Sequence, residues 1–341
     1  MTAPTFAPDP PHPVTRFLGI AGAVFLGLVL LVAAWAKMLD PAAFAELIEI
    51  EGLDVVLSAE AVAMIAIVLE VALGLALVMA IRRWWVLVPA ALLVAFFVFL
   101  NARAWYLDAH GLREEAASCG CFGKLVERTP EEAFWQDLLL LVPALGLSFL
   151  GRPRRRDGGP EGLPTGRLAL VGVITAGAAV FTWQAPELPL DDLATRLKPG
   201  VEVGDLCSGS GPERVCMGLV APELAEGEHL VMMVDVADES FAEAVPALNE
   251  YVFAGEGPSL WSLVAAEPEV LTQFRWSHGP VFEIREAPPT LLEPLYRRLP
   301  RSFLVRRGRV VATYPGLPPQ VEGLPESDPA GDPAADRSTE P

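Results

Sequence analysis

Five long apolar stretches dominate the first 185 residues of the chain. They run over residues 17–36, 61–81, 84–100, 133–150 and 168–185. About 20 apolar residues cross the hydrocarbon core of a bilayer as a helix, and only backbone that satisfies its own hydrogen bonds is stable there. The pattern predicts an all-α membrane bundle with a four-helix core over residues 14–151. A basic loop over 152–166 and a fifth transmembrane helix over 167–186 follow.

The first apolar stretch has a rival interpretation as a cleaved signal peptide, because Ala34-Trp35-Ala36 imitates a cleavage site. The uncharged run is longer than the apolar region of a signal peptide, about 7–15 residues, and further spans follow it. We therefore expect this stretch to span the membrane. Residues 1–13 are rich in proline and polar side chains and are predicted to be a disordered lead.

After residue 187 the apolar positions occur in short segments typical of a soluble domain. Strands are predicted at residues 215–220, 229–235, 259–265 and 281–284, with a hairpin formed by 303–305 and 310–314. Helices are predicted at 241–253, with Asp238 or Ser240 as N-cap, and at 268–276 and 291–298. Strands that alternate with helices indicate an α/β layer, so residues 187–317 are predicted to form a soluble α/β domain. The tail over 318–341 is rich in Pro, Asp, Glu and Gly and is predicted to be disordered.

The charge distribution predicts the orientation. The net charge is −18, and most of the excess acid lies after Pro186, which argues against nucleic-acid binding because polyphosphate would be repelled. The basic residues of two short loops favour the cytoplasmic side. These are Arg82, Arg83, Arg152, Arg154, Arg155, Arg156 and Arg167. We expect a multi-pass protein of the cell (inner) membrane, in contact with lipid, with loops 39–60 and 108–132 and the C-terminal domain extracytoplasmic.

All four cysteines then lie outside, where disulfides persist. Cys119 and Cys121 belong to Cys119-Gly120-Cys121-Phe122-Gly123, and we call them the CxC pair. One intervening residue allows only a small, strained ring, and strain makes a disulfide easier to reduce. We predict that the CxC pair is the catalytic, exchanging pair. A static bridge, two free thiols, or a metal site completed by His110 stay open as alternatives.

The second pair, Cys207 and Cys216, brackets a flexible Ser-Gly-Ser-Gly-Pro turn. We predict a structural disulfide that cross-links a hairpin at the entrance of the soluble domain. The alternative is that this pair exchanges with the CxC pair.

Polar side chains in the spans are candidate supporting residues. Glu70 lies deep in the second span, where a carboxyl group should be protonated, paired or facing a polar cavity. It could handle protons or a quinone, or it could be a packed, hydrogen-bonded acid. Asn101 and Arg103 cap the third span at its outer end, whereas Lys37 lies near the outer end of the first span. Asp137 lies in the first turns of the fourth span. Arg103 could favour a thiolate, or it could extend its charge to the interface as a snorkelling arginine.

The membrane region resembles a known family. Trp35-Ala36-Lys37-Met38-Leu39-Asp40-Pro41 closes span one, Glu70 lies in span two, and CGCFG precedes span four. These features resemble the MauE/DoxX group, and within it the methylamine-utilisation MauE branch, over about residues 15–150. The resemblance implies disulfide formation or redox maturation of exported proteins, with Cys119 and Cys121 as the redox pair.

The C-terminal domain resembles thioredoxin-like folds of the membrane-tethered TlpA type over about residues 229–316. The resemblance rests on the His229-Leu-Val-Met-Met-Val-Asp235 strand, the helix from Phe241, and Leu299-Pro300-Arg301-Ser302-Phe303. It places Pro300 where those folds have a cis-proline beside the active site. The chain departs from the family where C-x-x-C should follow the strand, because it reads Ala237-Asp238-Glu239-Ser240. Without a thiol, the ordinary dithiol reaction is excluded at that position.

These observations favour a membrane thiol-disulfide redox protein that supports disulfide formation or maturation of exported proteins. Its partners would be exported clients or other thioredoxin-like proteins, and a membrane quinone is the candidate cofactor. One alternative is a non-catalytic assembly factor with a client-binding thioredoxin-like domain. The other is a metal-handling membrane protein; no resident metal site is predicted.

Overall fold

The computed structural model describes residues 13–110, 128–150, 165–209, 214–255 and 257–319. The chain divides into two compact units, Met1–Arg196 and Leu197–Pro341. Each unit is described by itself below.

The first unit is helical. Its helices are α1 (Pro13–Leu39), α2 (Pro41–Ile50), α3 (Ala59–Val78), α4 (Trp84–Ala109), α5 (Pro130–Phe149), α6 (Thr165–Gln184) and the short α7 (Asp191–Ala194). Within the described residues, five of these helices are long and apolar enough to cross a membrane: α1, α3, α4, α5 and α6. The five predicted spans are confirmed, and the protein is a multi-pass membrane protein. Helix α2 was not predicted; it lies in the segment treated as an outer loop.

Helices α1, α3, α4 and α5 form the four-helix core, and α6 packs against α3 and α1. Small residues allow α1 to approach two neighbours closely. A Cβ atom on Gly27 would lie 2.6 Å from the carbonyl oxygen of Gly74 in α3. A Cβ atom on Gly22 would lie 2.8 Å from the carbonyl oxygen of Ala144 in α5. Glycine is therefore required at both crossings of α1.

Arg82 connects the loop after α3 to the end of α5. Its buried guanidinium donates to the carbonyl oxygens of Leu150 at 2.6 Å and Ser148 at 3.5 Å. The last carbonyls of a helix have no partner within the helix and favour a nearby cation. Gly19 leaves room for this arginine, because a Cβ atom there would lie 2.0 Å from Arg82 Nη1. Arg82 is thus a structural residue as well as a topological signal.

The second unit is a mixed α/β domain. Its elements are β1 (Cys207–Ser208), β2 (Val215–Cys216), α8 (Met217–Val220), β3 (Glu228–Met233), α9 (Glu239–Ala254), β4 (Ser259–Val264), α10 (Pro268–His278), β5 (Glu283–Glu286), α11 (Pro289–Leu292), β6 (Arg301–Arg306) and β7 (Arg309–Pro315). Strands β1 and β2 form a small antiparallel pair. The main sheet has the order β5-β4-β3-β6-β7, with β3, β4 and β5 parallel and β6 and β7 antiparallel to their neighbours.

Apolar clusters cover both faces of this sheet. One contains Phe241 from α9 packed on Leu230 and Met232, and the other contains Met217 and Leu224 from the segment before β3. A β-α-β unit followed by an antiparallel hairpin, with helices on both faces, is a thioredoxin-like arrangement. The predicted fold class is confirmed.

Two local predictions were wrong. The strand expected over 215–220 ends at Cys216, and helix α8 follows, because the Met217 amide turns back to donate to Leu206 O at 2.8 Å. The helix expected over 291–298 is only α11 and a 3₁₀ turn at Glu293–Leu295, since Pro294 has no amide to continue the α-helix.

Candidate functional site

Each of the four core helices contributes a buried polar side chain to the interior of the membrane bundle. They are Lys37 from α1, Glu70 from α3, Asn101 from α4 and Asp137 from α5. We call these four residues the polar cluster. Lipid offers polar groups no partners, so side chains of this kind must satisfy one another inside the protein.

Lys37 and Glu70 form the first half of the cluster. The ammonium group of Lys37 makes a salt bridge with Oε1 of Glu70, and both side chains are almost fully buried. The same ammonium lies 4.9 Å from the ring centroid of Phe97 and 5.0 Å from that of Phe44, within the range of cation–π attraction. Of the expectations for Glu70, the paired acid is the one observed.

Asn101 and Asp137 form the second half. Asn101 Nδ2 donates to Asp137 Oδ2 at 2.8 Å, which joins α4 to α5. Arg128 Nη1 lies 3.8 Å from Asp137 Oδ1, and Lys37 is close enough to Asp137 to interact with it electrostatically. The two halves are therefore one electrostatic unit with contributions from all four core helices.

Local sequence at the α1–α2 junction positions the cluster's lysine. Asp40 ends α1 and caps α2, because its carboxylate accepts from the Ala43 amide at 3.2 Å and Pro41 starts the new helix. Trp35 stacks on Phe181 of α6 with ring centroids 6.0 Å apart. The motif thus packs α1 against α6 through Trp35 and starts α2 through the Asp40 cap. Lys37 lies between these two contacts in the sequence, which fixes its position.

Helix α5 begins with a capping box that positions Asp137. Thr129 accepts from the Glu132 amide, and the Glu132 carboxylate accepts from the Thr129 amide, each at 3.2 Å. Asp137 follows about two turns into the helix, on its buried side.

Sequence reasoning identified Glu70 but not its partners. Lys37 was treated as a charge at the outer end of a span, and Asp137 only as a polar residue in the first turns of α5. Asn101 was expected to cap α4, yet it lies buried inside the bundle. Arg103, the candidate supporting residue, makes a salt bridge with Glu51 at the end of α2. The guanidinium of Arg103 is thus paired with a carboxylate. Its influence on the pKa of a thiol stays a prediction.

The CxC pair lies outside the described residues, in the segment 111–127 between α4 and α5. His110, the third member of the metal alternative, is the residue after α4. Its Nδ1 lies 2.7 Å from Tyr106 O. The helices on either side of the segment are those that supply Asn101 and Asp137.

A disulfide joins Cys207 and Cys216, which lie directly opposite each other on β1 and β2. The neighbouring residues Leu206 and Met217 are buried in the core beneath the sheet. The disulfide therefore holds together two chain segments that both contribute to this core.

The position corresponding to a thioredoxin active site contains no thiol. The Leu299–Pro300 peptide bond is cis, at the start of β6. At the start of α9, Asp238 caps the helix by accepting from the Ser240 amide at 2.9 Å. Of the two predicted N-caps, the structure selects Asp238.

Arg301 fixes the segment that contains this cis-proline. Its guanidinium is buried, with Nη1 donating to Leu295 O at 2.6 Å and Nη2 donating to Leu197 O at 3.0 Å. Charge-assisted hydrogen bonds to backbone are among the stronger ones in proteins, so this segment is held against the first residues of the unit.

Together these features define a multi-pass membrane protein with a thioredoxin-like domain. Residues 15–150 match the family model described as methylamine utilisation protein MauE. The membrane region is therefore MauE-like, as its sequence predicted. No curated protein matches the chain.

Several solved structures are similar to about a third of the chain. One is described as a thiol:disulfide interchange protein DsbE from Chlorobium tepidum, with 16% identity, 36% of this chain and 89% of that chain covered, and a TM-score of 0.28. Another is the thioredoxin domain of a thiol-disulfide oxidoreductase from Bacteroides vulgatus, with 14% identity, 34% and 88% coverage, and a TM-score of 0.28. A third is a thiol:disulfide interchange protein from Bacteroides sp., with 13% identity, 34% and 81% coverage, and a TM-score of 0.27.

Proposed function

We propose that the protein is a thiol-disulfide redox protein of the cell inner membrane that supports disulfide formation or maturation of exported proteins. The observation that supports the proposal is the position of the CxC pair in the sequence. This pair lies on the connection between α4 and α5 of a MauE-like bundle, and those two helices are joined inside the bundle by the Asn101–Asp137 hydrogen bond.

In the proposed reaction, a client thiolate attacks the CxC disulfide and forms a mixed disulfide. The client's second thiol then resolves it, so the client gains a disulfide and the CxC pair becomes a dithiol. Two electrons and two protons have moved from client to CxC pair. A lipid-soluble quinone, as co-substrate, would reoxidise the dithiol and leave as a quinol.

This chemistry requires the CxC pair and the thioredoxin-like domain to face the extracytoplasmic side. The arginine-rich loops at 82–83 and 152–167 support that orientation, because cytoplasmic loops are enriched in Lys and Arg.

In this proposal the thioredoxin-like domain binds clients and carries out no exchange of its own. The start of α9 offers carboxylates where a dithiol would be needed, while the segment with cis-Pro300 is held in place through Arg301. The Cys207–Cys216 disulfide serves as a structural cross-link of the same domain, since it secures segments of the core.

The missing thiol also favours a second candidate function. A thioredoxin-like domain without a dithiol suits an assembly factor that holds an exported protein during its maturation and transfers no electrons. In that case the CxC pair would stay permanently in one redox state.

Trapping of mixed disulfides tests the proposal. Cys119→Ala and Cys121→Ala each leave one thiol, and one of the two variants should accumulate covalent adducts with exported proteins in intact cells. The matched control is the Cys207→Ala/Cys216→Ala variant, which should cycle normally.

Two outcomes would contradict the redox proposal. Absence of adducts from both single variants, together with a CxC pair that stays fully oxidised in every alkylation assay, would leave the assembly factor. Thiols protected from alkylation until zinc or copper is chelated would instead support the metal-handling alternative.

A further inference from the structure

The polar cluster leaves hydrogen-bonding capacity unused at its most deeply buried acid. Oε1 of Glu70 contacts Lys37, but Oε2 is buried and has no hydrogen-bond partner among the described residues. An unsatisfied buried acceptor is destabilising, and more so when it is charged. A buried ion pair is itself often no more stable than an apolar pair of similar size. The bundle therefore retains a costly arrangement whose free oxygen can accept a proton.

The cluster is also continuous with the helix ends nearest the CxC pair. Arg128 lies two residues before the start of α5, and its Nη1 is 3.8 Å from Asp137 Oδ1. Asp137 Oδ2 accepts a hydrogen bond from Asn101 Nδ2. Asn101 and Asp137 each lie about two helical turns from the ends of α4 and α5 that the CxC segment connects. Lys37 interacts electrostatically with Asp137 and directly with Glu70. Charged and polar groups thus follow one another from that end of the bundle to Glu70.

We propose that the polar cluster is the proton-accepting site of the membrane bundle, with Glu70 as the acceptor. This inference rests on the proposed thiol chemistry. When the CxC dithiol closes to a disulfide, two S–H bonds break, one S–S bond forms, and two electrons and two protons leave. The electrons reduce a quinone-class co-substrate, which also needs two protons to become a quinol. Glu70 takes one of the two released protons at Oε2, passes it to the reduced co-substrate and returns to its carboxylate form. The other released proton goes to bulk water, from which the co-substrate takes its second proton.

The surroundings of Glu70 suit such a transient acceptor. The Lys37 ammonium from α1 stabilises the carboxylate between turnovers, and Asp137 and Arg128 are the charged groups contributed from the α5 side. Phe44 of α2 and Phe97 of α4 flank the lysine and contribute no titratable group. Asp40, three residues after Lys37 in the sequence and the cap of α2, is a further buried acid. When Glu70 is protonated, Asp137 is the negative charge of the cluster, and its field acts on both Lys37 and Arg128.

The test uses purified full-length protein in lipid nanodiscs, with the CxC pair reduced beforehand and decylubiquinone added. Mass-tagged alkylation follows disulfide formation across a range of pH. Glu70→Gln keeps the shape of the side chain and removes its ability to accept a proton. Lys37→Met/Glu70→Leu removes the whole ion pair, a change that is often neutral or stabilising for folding, so it keeps the test valid if the single variant unfolds.

We expect both variants to oxidise at least about tenfold more slowly than wild type, equivalent to about 1.4 kcal/mol of barrier, and to lose the wild-type pH dependence. The double variant should keep its melting temperature. Glu49→Gln, which changes an exposed carboxylate of α2, is the matched control and should behave as wild type.

A double variant that oxidises with the wild-type rate and pH profile would reduce the Lys37–Glu70 pair to a structural contact and overturn the inference. Wild-type protein that does not react with the quinone would also overturn it, while client exchange is still decided by the trapping experiment. If Cys119→Ser still reduced decylubiquinone at the wild-type rate, followed by the ultraviolet absorbance of the quinone, the CxC pair would not be the reacting group, and the proposed function would fall with the inference.

Discussion

The crossing of α1 and α3 predicts a large effect from a very small substitution. In Gly27→Ala, the added methyl group would lie 2.6 Å from the carbonyl oxygen of Gly74 and 2.9 Å from the amide nitrogen of Val78. Both are backbone atoms, so no side-chain rotation can relieve the contact. Restoring an ordinary distance of 3.4 Å requires the helices to move apart by about 0.8 Å, the difference from 2.6 Å.

The expected cost follows from two opposing terms. Overpacking of a close-packed interface costs about 1–3 kcal/mol. Replacement of glycine by alanine in a helix returns about 0.5–1 kcal/mol, because alanine loses less conformational entropy. Gly27→Ala should therefore destabilise the bundle by up to about 2.5 kcal/mol. In Gly74→Ala the nearest backbone atom is the Gly27 carbonyl oxygen at 3.0 Å, so the cost should be smaller.

Reversible unfolding of the purified protein in mixed micelles, titrated with sodium dodecyl sulfate, measures these differences. Gly146→Ala in α5 is the matched control, because no atom of the described residues lies within 4 Å of the added methyl group. Only the lower conformational entropy cost of alanine should then change the free energy of unfolding. The Gly27→Ala/Gly74→Ala variant should cost less than the sum of the single variants, since the first substitution already separates the helices. A Gly27→Ala protein as stable as Gly146→Ala would refute the assigned helix crossing.

Three further predictions follow from other contacts. Arg82→Ala should destabilise the membrane unit by about 1.5–3 kcal/mol in the same titration, because its charge-assisted hydrogen bonds to the end of α5 are lost. Arg83→Ala is the matched control: the Arg83 side chain makes no capping hydrogen bond to α4, so stability should change by less than about 0.5 kcal/mol. Cys207→Ala/Cys216→Ala should lower the stability of the thioredoxin-like domain by about 2–3 kcal/mol in calorimetry and leave CxC cycling intact; lost cycling at unchanged stability would make the pair an exchange partner. A membrane-impermeant maleimide should label all four reduced cysteines in intact spheroplasts, and a cysteine that reacts only after lysis would break the proposed topology.

Sequence patterns predicted the elements of this protein better than their contacts. The five spans were predictable because hydropathy alone selects them, whereas α2 is a ten-residue helix that hydropathy does not separate from a loop. The strand expected at 215–220 was wrong because a tertiary hydrogen bond to Leu206 turns the chain at Met217. The cis-proline position followed from a resemblance, and no rule of local sequence would have supplied it.

The polar cluster shows why the candidate site was only partly predictable. Glu70 was visible because a single acid in an apolar run is unusual. Its partner Lys37 lies near the end of α1, where a lysine is ordinarily an interfacial residue. Whether such a side chain points to lipid, water or the bundle depends on helix rotation and on the Asp40 cap that ends α1. A search for acids and bases placed one on each core helix would have found the cluster's members, but not their pairing.

The start of α9 is unsuited to thiol-disulfide exchange. In a helix N-terminus, free amides and the helix dipole stabilise a thiolate and make a cysteine reactive. Here the Asp238 carboxylate already accepts from the Ser240 amide, and Asp235 accepts from the Ala237 amide at 2.9 Å. Two acidic groups therefore occupy the electrostatic environment that would activate a thiol, and a cysteine placed beside them would be held in its protonated, less reactive form. The missing dithiol at the start of α9 is thus matched by the surrounding residues, which supports the proposal that client binding and electron transfer belong to different units of the chain.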